Sequence, residues 1–285
     1  MTVHFIGAGP GAPDLLTLRA QRLIAECPVC LYAGALVPPE VLAHAPAAVR
    51  AVDTQNLDLD EIVGELSAAH ERGQDVARLH SGDLSIYSAV AEQMRRLDEL
   101  GIPWDVTPGV PAFAAAAAAL GQELTLPGVA QTVILTRHAR RATPKPEGEE
   151  LGALAAHGAT LVIHLGAQAM DELAAELTPH YGPDCPVAVV AWASWPREVV
   201  LRGTLSTIAA EVERAGVRRT AVIIVGRALA ERGFAESHLY SADRERPGPP
   251  PEWQQPGQPP RGVGPQTGVM SDVGGPPPCR GGPGA

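Results

Sequence analysis

The chain is almost without lysine: Lys145 is the only one among 22 basic residues in 285, the other cationic side chains being arginines. Aromatic residues make up only 4% and acidic residues outnumber basic ones, leaving a formal charge of −10. That balance excludes the broadly basic face that nucleic-acid phosphates require, so any anionic ligand must meet a local cluster of cations. No apolar run reaches the roughly 20 residues of a membrane span. The N-terminus enters a strand pattern directly rather than a signal peptide, so a cytoplasmic location is expected and no membrane partner. Cysteine is scarce too, at four residues. Cys27 and Cys30 lie between a helix end and a strand, whereas redox pairs sit at helix N-termini, where the thiol pKa falls. Cys185 and Cys279 are isolated, so no zinc set is formed; buried reduced thiols and no bound metal are expected.

What the chain does have is 45% hydrophobic residues, enough for two domains of ordinary size. Strand-like runs at 3–6, 28–32, 48–53, 76–79 and 104–107 alternate with helical stretches at 15–26, 59–72 and 89–100, which predicts a mostly parallel sheet wrapped by helices. After an alanine-rich helix at 112–120, strands at 131–136, 160–165, 187–193, 198–204 and 220–225 accompany helices at 167–177 and 205–215. The run at 198–204 follows its predecessor too closely for a helical crossover and is expected to pair antiparallel. The expected fold is therefore α/β, two α/β domains with a cleft between them, the first sheet mostly parallel and the second mixed. We place the first domain at 1–115, a linker at 116–130, the second domain at 131–243 and a disordered tail at 244–285, where Pro and Gly dominate without a collagen period.

Three glycine loops end strands of the first half: Gly7 to Gly11, Ser81-Gly82-Asp83 and Pro108-Gly109. In an open α/β sheet ligands bind beyond the carboxyl ends of the strands, so the three loops point to one shared rim. Gly7, Gly9 and Ala12 formally match a dinucleotide fingerprint. Pro10 removes an N–H donor from that loop, however, and the strand at 28–32 runs into Ala33-Gly34-Ala35-Leu36 with no acid for a ribose. Beyond the strand at 131–136 lie Arg137, His138, Arg140, Arg141 and Lys145, a cluster suited to bidentate capture of carboxylates, against the alternative of a solvated basic loop. Asp14 reads as a helix N-cap, Trp192 and Trp195 as wall packing, and Arg78 and His80 as further candidates for the rim. No Ser-His-Asp or metal-ligand constellation is readable.

Together these pieces resemble the tetrapyrrole (uroporphyrin and corrin precursor) methyltransferases, from Val3 to about Leu229. The resemblance is carried by the first glycine loop and by the segments 32–37, 80–87, 123–127 and 131–137. Where a uroporphyrinogen methyltransferase would show Gly-Gly-Asp-Pro-Phe, this chain has Ser81-Gly82-Asp83-Leu84-Ser85. The likeness is therefore to members that methylate C11 of a metal-free corrin precursor, with the cobalt-containing precursor as the alternative. A nucleic-acid methyltransferase on the same fold is disfavoured by charge, and a non-enzymatic tetrapyrrole carrier is the reading from another class.

The resemblance implies S-adenosylmethionine as cosubstrate, held in the cleft against Pro10, Ser81, Gly82, Asp83, Ile86, Pro111, Ala112, Leu165 and Ala193. Pro111-Ala112 departs from the small hydroxylated pair common in the family. A small-molecule tetrapyrrole substrate and a homodimer are implied as well. On charge grounds Arg78, Arg137, Arg140 and Arg141 are expected to hold the substrate's carboxylates, and Asp83, the one catalytic candidate, to orient macrocycle or cosubstrate.

Overall fold

The computed structural model describes residues 1–138 and 144–245. Arg140, Arg141 and the tail beyond 245 lie outside them. The residues from Met1 to Arg246 cluster as one compact unit, which contains two five-stranded sheets.

The first sheet is built from β1 (Val3–Gly7), β2 (Val29–Tyr32), β3 (Arg50–Asp53), β4 (Val76–His80) and β5 (Trp104–Thr107), in the order β3-β2-β4-β1-β5. Every pairing is parallel. β1 and β4 are central and almost entirely buried, as expected of runs covered on both faces. Helices α1 (Leu18–Glu26) and α2 (Pro39–Leu42) cover one face, where Ala20, Ile24 and Val41 pack with Ile6, Cys30 and Leu79. Helices α3 (Leu59–Glu71) and α4 (Val90–Glu99) cover the other, where Leu66 and Leu97 pack with Phe5, Val29 and Val76. The start of α3 is fixed locally by a capping box in which the Asp58 side chain accepts from the Glu61 N–H and Glu61 accepts from the Asp58 N–H.

The expected helix at 15–26 is divided. A 3-10 turn, Pro13–Leu15, is followed by an extended break, and α1 begins only after Thr17, whose hydroxyl accepts from the Ala20 N–H at 3.1 Å. Asp14 is therefore not the helix N-cap. It sits inside the turn while Thr17 satisfies the orphan donor.

Helix α5 (Ala112–Leu120) ends at Gly121, whose φ of 61° supplies the left-handed stop. The second sheet comprises β6 (Val133–Arg137), β7 (Thr160–His164), β8 (Pro186–Ala191), β9 (Val199–Thr204) and β10 (Ala221–Val225), in the order β6-β7-β10-β8-β9. Only β6 and β7 are parallel, and β9 pairs antiparallel to β8 as its short connection predicts. Helices α6 (Leu151–Ala155), α7 (Met170–Tyr181) and α8 (Ile208–Arg214) cover one face through Leu151, Leu173, Leu177 and Ile208. The opposite face, with Val162, Val190 and Ile224, is covered by α5 through Ala116 and Leu120. Alanine-rich α5 thus follows the first sheet in sequence and packs on the second in space. Small side chains allow that close approach, and Arg202 of β9 donates to the Leu120 carbonyl near the helix end at 2.7 Å.

Candidate functional site

The chain leaves β1 for α1 on one face of the first sheet and leaves β4 for α4 on the other. The loops after these neighbouring strands therefore diverge, opening a crevice between their carboxyl ends. It is lined by backbone. The Ala8 N–H donates to the His80 carbonyl at 2.7 Å, and Gly9 and Gly82 exchange two hydrogen bonds across an isolated bridge, at 3.1 and 2.7 Å. A Cβ on Gly7 would stand 2.5 Å from the Gly109 nitrogen, and one on Gly109 would collide with the Gly82 carbonyl. Glycine is required at this crossing because three backbones touch there. The N–H groups of Ala8, Gly9 and Ala12 all have partners inside the protein, Ala12 donating to Ser194 Oγ at 3.0 Å. A pyrophosphate would have little to bind, which removes the dinucleotide reading.

Asp83 fastens this junction. One carboxylate oxygen accepts from the Gly109 N–H at 2.8 Å; the other accepts from the Ser85 N–H at 2.9 Å and from its hydroxyl. Burial alone would raise this carboxyl, but the hydrogen bonds from Ser85, Gly109 and Leu84 outweigh it and hold the group below the ordinary aspartate value. Asp83 is therefore an anionic clasp rather than a proton donor at neutral pH.

Between this junction and the second sheet lies a cavity of about 530 Å³, within the range of small-molecule sites. Pro10, Ser81, Gly82, Asp83 and Ile86 line it from the first sheet's loops, and Pro111 and Ala112 from the start of α5. Leu165 after β7 and Ala193 after β8 line it from the opposite side. Those are the nine residues that the resemblance placed around the cosubstrate. Because β10 runs antiparallel, its first residues reach the same rim and bring Arg218, Arg219 and Thr220 to the wall. The backbone here is strained: Tyr87, Leu165, Trp192, Ser194 and Thr220 have φ between 50° and 68° without being glycine. Such conformations persist only where surrounding structure imposes them, and they concentrate at ligand sites. Leu165 is held in this state although 65% exposed.

His138 and His164 also line the cavity. His164 is disfavoured as a cation by burial, and its ring lies 5.5 Å from that of Tyr87. His138 Nε2 stands 3.7 Å from a Glu172 carboxylate oxygen. Arg137 lines a second cavity of about 290 Å³ with Thr136, Lys145 and Glu149, and Tyr87 lines both cavities.

Arg78 is not brought to either cavity. It is buried in β4, donating to Gln93 Oε1 and Thr54 Oγ1 at 3.0 Å each, and burial lowers its pKa to about 10. His80 is buried beside it, its pKa driven down to about 3 by burial and by Arg78. Both were read from a position at the end of β4, but in a central strand these side chains enter the helix-covered layers rather than the rim. Trp195 is more than wall packing: its indole N–H holds the Pro10 carbonyl, and Arg197 lies over both the Trp192 and Trp195 rings, 4.9 and 5.1 Å from their centroids. The buried thiols Cys27 and Cys30 are both pushed up to about 12, chiefly by burial.

Sequence reasoning missed Tyr87, His164, Arg218 and Arg219 as wall residues. The Arg218-Arg219-Thr220 step onto a strand was a usable signal. The position of His164 depends on which strand end β10 would meet, and no local pattern carries that.

The tetrapyrrole (corrin/porphyrin) methylase family model matches residues 2–209. The chain belongs to this family. A precorrin-4 C(11)-methyltransferase of Rhodococcus erythropolis is 63% identical over 246 residues, covering 86% of this chain and 99% of that protein. Among solved structures, a cobalt precorrin-4 methyltransferase of cobalamin biosynthesis superposes with a TM-score of 0.78 at 37% identity, over 81% of this chain and 96% of that one. A uroporphyrin-III C-methyltransferase of Thermus thermophilus complexed with S-adenyl homocysteine does so with a TM-score of 0.66 at 30% identity, over 81% of this chain and 94% of that one. Among the described residues of this tetrapyrrole methylase no helix is long and apolar enough to cross a membrane.

Proposed function

We propose that this tetrapyrrole methylase transfers a methyl group from S-adenosylmethionine to C11 of precorrin-4, giving precorrin-5. The observation that carries the reading is the convergence of the nine cosubstrate residues on one cavity, in a chain nearly two-thirds identical to a relative named for this reaction. The metal-free substrate is preferred to the cobalt form because the cobalt-precorrin structure is much less similar in sequence.

The cavity fits the cosubstrate chemically. The glycine-loop wall is backbone and small side chains with few N–H donors to spare, which suits a cosubstrate that carries no phosphate. S-adenosylmethionine supplies a methyl group already activated by its sulfonium, so a carbon nucleophile needs little acid–base assistance. The protein's task is then to hold donor and acceptor in near-attack geometry, which can be worth roughly 7 to 11 kcal/mol. The Gly7–Gly82–Gly109 crossing lets backbone approach the ligand, and the Asp83 clasp fixes that crossing. Ala112 and Ala193 give the cavity apolar wall. Arg137, Arg140 and Arg141 are assigned to the substrate's carboxylates; Arg78, hydrogen-bonded to Gln93 and Thr54 beside the first sheet, is assigned to structure. The reading also includes a cytoplasmic location and a homodimer, and sedimentation velocity tests the dimer directly.

Isothermal titration with S-adenosylhomocysteine tests the reading: one-to-one micromolar binding is expected, followed by formation of a methylated product from precorrin-4. A folded, ligand-free sample that binds no S-adenosylhomocysteine would overturn it.

A further inference from the structure

In the second sheet β10 lies between β7 and β8 and runs against both. The residues that enter β10 therefore stand between those that leave its neighbours, Leu165 after β7 and Ala193 after β8. Arg218 and Arg219 occupy this middle position on the wall of the large cavity. The backbone that carries them is anchored on both sides. Val217, just before the pair, is buried in the second core. Thr220, just after it, is held at φ 55°, and its carbonyl accepts from the Trp192 N–H at 2.8 Å, tying the entry of β10 to the exit of β8.

Both arginines are exposed, and among the described residues neither makes a hydrogen bond or an ion pair. The other charged or imidazole side chains on the described wall are engaged or neutral. Asp83 holds the Gly109 and Ser85 N–H groups, His138 stands 3.7 Å from Glu172, and burial disfavours the cation of His164. The wall thus presents two adjacent guanidinium forks with their donors open, the geometry that pairs bidentately with carboxylates. An exposed ion pair alone contributes little. A macrocycle lying over the cavity would displace water from the contact and strengthen it. Two adjacent cations suit a ligand with several carboxylates better than the single carboxylate of S-adenosylmethionine, whose neighbouring ammonium they would repel.

We propose that Arg218 and Arg219 are specificity-determining residues that hold carboxylate side chains of the tetrapyrrole at the second-sheet wall of the large cavity. The inference rests on the methyltransferase reading and extends its substrate contacts to the entry of β10.

The test measures two affinities on each sample of the full chain, for uroporphyrin, a stable octacarboxylate that serves as the macrocycle probe, and for S-adenosylhomocysteine. Arg218→Gln/Arg219→Gln should weaken uroporphyrin binding about tenfold or more and leave S-adenosylhomocysteine affinity unchanged. Each single substitution should show part of the loss, and Arg218→Lys/Arg219→Lys, which keeps the charge and removes the forks, should recover only part of the affinity. Arg214→Gln/Arg232→Gln removes the same charge from exposed arginines outside the cavity wall and should bind uroporphyrin like the wild type. Wild-type uroporphyrin affinity in Arg218→Gln/Arg219→Gln, or an equal loss in the Arg214 and Arg232 control, would overturn the assignment. A loss of S-adenosylhomocysteine affinity with uroporphyrin binding intact would also overturn it, marking the pair as a contact of the cosubstrate's carboxylate. So would a wild-type protein that binds S-adenosylhomocysteine and no uroporphyrin. Failure of the wild type to bind S-adenosylhomocysteine would instead strike the methyltransferase reading itself.

Discussion

The Trp195 indole N–H donates to the carbonyl oxygen of Pro10 at 2.8 Å, tying the loop after β8 to the glycine loop after β1. Gly11 lies so close to the same ring that a Cβ there would collide with it, and the neighbouring Ser194 hydroxyl accepts from Ala12. Two walls of the large cavity are registered by this contact. Trp195→Phe keeps an aromatic ring, smaller than the indole, and removes the donor. It should cost about 1 kcal/mol of stability and weaken S-adenosylhomocysteine binding several-fold, read by thermal unfolding and titration calorimetry on the same samples.

Gly109→Ala addresses the crossing of the three loops. The added methyl meets the backbone of Gly82 and Gly7 rather than a flexible side chain, so relief requires the loops to part. A destabilisation above about 2 kcal/mol is expected, the range of overpacking in tight interiors, with loss of S-adenosylhomocysteine binding. Gly73→Ala, at a positive-φ glycine where the added Cβ meets nothing, should retain binding and lose only about 1 kcal/mol to backbone strain.

Asp83 predicts an acid-side dependence. Its folded-state pKa is depressed below the unfolded value of 3.8, so its contribution is present above that value and is lost as pH falls through the folded pKa. Asp83→Asn should melt below the wild type at pH 7, and the gap should close as the pH is taken below 3.8. A gap that stays constant would show that the charge does not hold the loops.

His80 acts over a different range. Its folded pKa of about 3 lies below the ordinary 6.5, so the unfolded chain binds a proton that the folded chain refuses. Stability is full above 6.5 and declines from there toward pH 3, by up to about 1.4 kcal/mol per pH unit from this group. His80→Gln should flatten that slope in urea titrations, even if it lowers stability at neutral pH.

Thr17 and Asp14 give the sharpest contrast between sequence and structure. Thr17→Ala should cost about 1 kcal/mol as the loss of a helix cap, and Asp14→Ala should be close to neutral by comparison in chemical denaturation.

The strands of both sheets were legible because their apolar runs are bounded by glycine, proline and polar turns. The antiparallel placement of β9 followed from chain length alone. Where reading failed, the competing signals were local and equal in appearance. Asp14 and Thr17 are both good caps, and only the extended break after Leu15 selects the second. Arg78 and the cluster beginning at Arg137 are both arginine at a strand's carboxyl end. Arg78 belongs to a central strand covered by helices, and Arg137 to the edge strand β6, which opens on a cavity.

The sequence by itself determined the α/β class, the three glycine loops and the family, since these rest on residue spacing and on conformations that only glycine or proline tolerates. Which residues form one site was decided by the tertiary structure. Leu165, Ala193 and Thr220 reach the same rim as Ser81 and Pro111 because β10 runs against β7 and β8 and because α5 crosses onto the second sheet. Those placements depend on pairings between segments far apart in the chain, which are settled only when the two cores pack.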